Sequence, residues 1–130
     1  VSGTFHTISN AIIYLTDIGV KDIGKVVTRH PQVLGYNVEK NLKPTYEFLS
    51  QNFRVSVQDI ADTPALLSYS LDKRIKLRYE FLEFMGLKGN YKASSVLIPS
   101  DKNFAKLLKV PLQDYLDFKE NYLQQQKAKA

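Results

Sequence analysis

Residues 31–49 read PQVLGYNVEKNLKPTYEFL, and 33 positions later residues 64–82 read PALLSYSLDKRIKLRYEFL. Nine of the 19 aligned positions are identical, among them Pro31/Pro64, Tyr36/Tyr69, Lys40/Lys73, Lys43/Lys76 and the closing Tyr-Glu-Phe-Leu. Most of the others keep their type, as in Val38/Leu71, Glu39/Asp72 and Leu42/Ile75. Self-similarity at a fixed period marks a repeat architecture, in which no unit can bury its apolar face except against its neighbours. The fold class this implies is all-α: an α-solenoid of about three helical repeats, each of about 33 residues, closed by a diverged C-terminal cap.

The content of one repeat follows from spacing. Ser70 and Asn37 are N-cap candidates, and after Ser70 the residues Leu71, Ile75, Tyr79 and Leu82 fall on one face of a helix. Gly86 and Gly19 stand where such a helix must turn through a left-handed conformation. Pro44 lies inside the helical pattern of the first copy and should bend it, whereas Leu77 leaves the second copy straighter. A shorter helix carries Ile23, Val26 and Val27, or Val57, Ile60 and Ala61 one unit later. The prolines then open a tight helical turn, since a missing N–H is harmless at a first helical position.

These signals divide the chain into a partial repeat (1–19), two repeats (20–52 and 53–87) and a cap with its tail (88–130). In the cap, Ser100 can start a helix that turns Phe104, Leu107 and Leu108 inward. A last helix runs from about Leu112 to Gln124, and the tail QQQKAKA should fray. Because the first residue is Val1, the expectation is a processed product or a piece of a longer chain.

Composition narrows the function. With 44% hydrophobic and 24% charged residues the chain is an ordinary globular one, and no apolar run approaches the ~20 residues of a bilayer span. There is no cysteine, which removes thiol nucleophiles and thiolate metal sites. His6 and His30 are too far apart in sequence to suggest a metal site, and His30 beside Pro31 reads as a packed or capping residue. No Ser/His/Asp grouping or glycine-rich phosphate loop occurs, so the expectation is a non-enzyme without cofactor, metal, small-molecule substrate or membrane partner. Eighteen Lys and Arg against 13 Asp and Glu leave a net charge of +5, which favours polyanionic partners.

The strings HPQVLGYNVEKNLKPTYEFL and TPALLSYSLDKRIKLRYEFL resemble repeats of the mitochondrial transcription termination factor family, mTERF. The segment GLKGNYKASSVLIPSDKNFAKLL is similar to the closing part of its plant and green-algal members, and the likeness extends from about Asn10 to Leu108. The resemblance implies a curved helical array in mitochondria, or alternatively chloroplasts. It would act on organelle nucleic acid in transcription termination or regulation, RNA processing or ribosome assembly.

The candidate contacts are basic. Lys73, Arg74, Lys76 and Arg78 are four cations within six residues, and Lys40 and Lys43 repeat two of them in the first copy. On a helical wheel Lys40 and Lys43 lie opposite Val38, Leu42 and Leu49, so they face outward as candidate phosphate ligands or as a solvated face, in which Lys43 lies four residues before Glu47 and Lys76 four before Glu80. Arg78 falls at the edge of the apolar side, where it can hold a neighbouring unit or point into a groove. Arg29, ending a short helix, is either a further ligand or a C-terminal stabiliser. The tyrosines and phenylalanines read as core, with Phe48 and Phe81 covering flanks between units, and Tyr36 and Tyr69 tie helix ends through their hydroxyls. The partner expected is double-stranded DNA or structured RNA. A structural place in an organelle ribosome, bracing ribosomal RNA and neighbouring ribosomal or other organelle proteins, is the alternative.

Overall fold

The computed structural model describes residues 2–129, with side chains from residue 5 onward, and is built from helices alone. It divides into two compact units, Val1–Tyr69 and Ser70–Ala130. The fold is an all-α helical-repeat fold.

Unit 1 opens with α1 (Ser2–Asp17) and α2 (Ile23–Arg29), followed by a 3-10 turn at Pro31–Gly35. A π-helical turn, Val38–Leu42, then runs without a break into α3 (Lys43–Phe53). The short α4 (Val57–Asp62) and a second 3-10 turn, Pro64–Leu67, complete it. Each proline starts its turn, as the missing N–H allows. α2 packs on α4, which is the stacking of equivalent short helices from successive repeats. Leu15, Val26, Val33, Leu42, Leu49 and Ile60 are fully buried and form the centre of this unit's core.

Unit 2 repeats the opening, with a π turn at Leu71–Ile75 leading into α5 (Lys76–Phe84). α6 (Ala93–Leu97), α7 (Asp101–Leu108) and α8 (Leu112–Lys129) follow, and α8 packs on both α5 and α7. Phe81 sits at the centre of an aromatic cluster, its ring centroid 5.1 Å from Tyr115, 5.2 Å from Phe118 and 6.0 Å from Phe104. This corrects the expectation that Phe81 covers a flank. The cap helices α7 and α8 bring three aromatic rings onto it.

The caps lie where spacing placed them. The Asn37 and Ser70 side chains accept from the backbone N–H groups of Lys40 and Lys73, each satisfying one otherwise unpaired donor, worth about 1 kcal/mol. Ser100 does the same for Asn103. Gly19 and Gly86 take φ of +108° and +72°, the left-handed region that favours glycine at a helix end. The His30 ring shares a 2.9 Å hydrogen bond with the Tyr36 hydroxyl, and the His30 backbone N–H closes α2 onto Val26.

Three details depart from expectation. Both long helices start with bonds spanning five residues, Leu42 N–H to Asn37 C=O and Ile75 N–H to Ser70 C=O, so the wide first turn belongs to the repeat and not to Pro44. Pro44 is the second residue of the α-helical part, within a helix that already began at Val38. Leu107 is partly exposed rather than turned inward. The C-terminal segment continues as helix to Lys129, being made of the good helix formers Gln, Lys and Ala, with Lys127 and Lys129 favourably placed at the negative end of the helix dipole.

Candidate nucleic-acid interface

The seven basic residues singled out by sequence separate into three groups. Lys40 and Lys43 in unit 1 and Lys73 in unit 2 have exposed side chains. They form the outward, solvent-facing set. Lys76 is half-exposed and lies 3.7 Å from the Asp72 carboxylate one turn before it.

Arg29 is exposed, yet its guanidinium donates a 2.6 Å hydrogen bond to the backbone carbonyl of Asp62, the last residue of α4. Lys25 joins it there, 2.7 Å from the Asp62 carboxylate. Hydrogen bonds from Lys25 and then Gln58 hold that carboxyl below its ordinary range. Arg29 and Asp62 are themselves 33 residues apart, so the contact links equivalent points of successive repeats. Arg29 therefore ties the end of the neighbouring repeat's short helix while standing in the last turn of its own.

Arg74 and Arg78 make the same kind of contact on a larger scale. Pro99 stops the chain from continuing as helix after α6, and the last carbonyls of a helix have no partners within it. Four consecutive carbonyls, from Val96 to Pro99, instead accept from these two guanidinium groups. Arg78 reaches Val96 at 2.8 Å and Pro99 at 2.7 Å. Arg74 reaches Leu97 at 2.7 Å, Ile98 at 2.9 Å and Pro99 at 2.7 Å. Arg78 also donates to the Asp101 carboxylate at 3.0 Å, and Lys119 from α8 holds the other Asp101 oxygen at 2.8 Å.

The side chain of Arg78 has no solvent exposure at all, and its guanidinium carbon lies 4.6 Å from the Phe104 ring centroid, a cation–π distance. Of the two places sequence left open for Arg78, holding the neighbouring repeat is the one it occupies. Arg78 is enclosed, its Nη1 given to helix-end carbonyls, its Nη2 to Asp101 and its Nε left without a partner, and Arg74 is held by three helix-end carbonyls, so neither is placed as a phosphate ligand. Burial works to raise the pKa of Asp101, but the hydrogen bonds from Lys119 and Arg78 outweigh it and hold the carboxyl below its ordinary value. Tyr115, on the other side of Arg78, is pushed above the ordinary phenol value by burial.

Charge is divided unevenly between the units. Residues 1–69 carry six Lys and Arg against six Asp and Glu, while residues 70–130 carry twelve against seven. The whole excess of +5 therefore belongs to unit 2. A cleft of unit 1, about 540 Å³ between α1 and the start of the long helix, is lined by Asp17, Glu39 and Tyr14, among others, and by Lys43. Burial, then Glu47, Tyr46 and Glu39, raise the Tyr14 phenol to about 12. A cleft with two carboxylates and a neutral phenol is poorly suited to a phosphate.

Among the described residues, no group of three or more His, Asp or Glu side chains could hold a metal ion, and no helix is long and apolar enough to cross a membrane. A family profile described as mTERF matches residues 2–105, most of the chain. The chain belongs to the mTERF family. mTERF proteins are in general organellar, nucleic-acid-binding helical-repeat proteins. No curated protein and no solved structure matches the chain significantly.

Proposed function

We propose that this mTERF protein acts in mitochondrial or chloroplast gene expression by binding the phosphate backbone of organelle nucleic acid through the basic surface of unit 2. The step served is transcription termination or regulation, RNA processing or ribosome assembly. The observation that carries the reading is the charge division. A unit with twelve cations against seven anions concentrates positive potential on one part of the chain, and that is the electrostatic footprint of a polyanion partner.

Of the sequence-predicted residues, Lys73 is exposed in unit 2, and Lys40 and Lys43 are exposed in unit 1, each on the first turns of a long helix of its own unit. Contacts of this type fix register on a backbone and carry no base sequence. Ultraviolet crosslinking in intact organelles tests the role directly. Recovery of a discrete set of organelle DNA or RNA segments on the native protein is the expected result, and their identity assigns the step. Recovery of nucleic acid no higher than for an unrelated basic organelle protein would defeat the proposal.

A further inference from the structure

α7 is strongly two-faced. Phe104, Ala105 and Leu108 are buried, while Lys102, Lys106 and Lys109 are all exposed. At 100° per residue Lys106 falls about 40° from Lys102, so the two share one face of α7, and Lys109 follows at the helix's C-terminal cap. Among the described residues, none of the three ammonium groups has an ion-pair or hydrogen-bond partner, in contrast to Lys25, Lys76, Lys88 and Lys119. The one acid on this helix, Asp101, is engaged by Arg78 and Lys119 and so does not compensate the stripe.

The last lysine carries a further sign. Lys109 takes φ of +60°, a left-handed conformation that glycine adopts at much lower cost, and it does so at the C-terminal cap of α7. A lysine held at a glycine-favouring position extends the stripe by one cation at a cost to the fold. Local strain of this kind collects where a side chain is used.

We infer that Lys102, Lys106 and Lys109 form a second phosphate-binding element of unit 2, gripping successive phosphates of one nucleic-acid strand along α7. The inference rests on the nucleic-acid-binding reading above and adds to it a site outside the repeated helices. Each lysine that neutralises a phosphate releases counterions, so each contributes about one unit to the slope of log Kobs against log salt.

The test uses the 130-residue chain, a 20-base-pair DNA duplex and an RNA hairpin, with binding followed by fluorescence anisotropy from about 50 to 300 mM salt. The triple variant Lys102→Gln, Lys106→Gln, Lys109→Gln is expected to flatten the slope by about 3 and to weaken binding roughly 10²-fold at 0.1 M salt. A charge-matched control, Lys88→Gln, Lys127→Gln, Lys129→Gln, should keep a slope close to that of the unaltered chain. A loss confined to DNA, confined to RNA or common to both supports the stripe and tells which backbone it grips. An unaltered chain that binds while the stripe variant keeps its slope, or loses no more than the control, overturns the inference alone. An unaltered chain that binds neither probe overturns the functional reading beneath it as well.

Discussion

Replacing Arg78 by alanine is expected to destabilise unit 2 by about 3–5 kcal/mol and to lower its Tm by more than about 10 °C. The size of the effect follows from what is left behind. The Val96 carbonyl loses its 2.8 Å donor from Arg78, Pro99 keeps only the one from Arg74, Asp101 loses one of its two cationic partners, and a fully enclosed side-chain volume is emptied next to Phe104. Unpaired buried acceptors each cost about 1–3 kcal/mol, and α6 has only five residues with which to absorb the loss. Arg78→Lys keeps the charge but replaces a planar fork by a single point of donation, so it should recover less than half of the loss. Urea and thermal unfolding measure both variants. A change below about 0.5 kcal/mol for Arg78→Ala, the size typical of a surface position, would mean that the clamp does not hold α6.

Phe81→Ala should cost about 3–5 kcal/mol by the same measurement. Phe81 is almost wholly buried and meets Phe104, Tyr115 and Phe118 edge to face, pairings that add about 1 kcal/mol beyond simple burial. The comparison that isolates the cause is with two other phenylalanines. Phe84, one turn further along α5, is 71% exposed, so Phe84→Ala should change stability by no more than about 0.5 kcal/mol. Phe48 is the equivalent of Phe81 in the first copy but is only half-buried, so Phe48→Ala should fall between the two. Equal losses at Phe48 and Phe81 would show that the cap helices add nothing to the second repeat.

These two residues also mark the border between what the sequence states and what it hides. The repeat, its caps and its turns are legible because each depends on local chemistry. A proline opens a turn, Asn or Ser caps a helix three residues before the N–H it accepts, and glycine supplies a positive φ at Gly19 and Gly86. The π turns are not legible, because Val38/Leu71 and Leu42/Ile75 suit the apolar face of either helix type, and only the five-residue hydrogen bond distinguishes them. The placement of Arg78 is hidden for a different reason. Its partners lie 18 to 23 residues away, in a segment where the repeat's register is lost.

Two signals nevertheless point to the clamp. Arg74 and Arg78 are four residues apart and share a helix face, and Leu97-Ile98-Pro99 ends a helix abruptly with its carbonyls unserved. A cation cluster beside such an end satisfies the end before it serves a ligand. The α7 lysines are the opposite case. They belong to no repeat and form no dense run, so only their exposure and lack of partners separate them from an ordinary solvated face.

A chain that holds nucleic acid by neutralising phosphates must bind with a steep salt dependence, which anisotropy titration reads directly. For the unaltered 130-residue chain the slope of log Kobs against log salt is expected to be about −3 or steeper on duplex DNA or structured RNA, the value for three or more phosphates neutralised. A flat line, or no measurable binding to either probe at about 50 mM salt, would contradict the account.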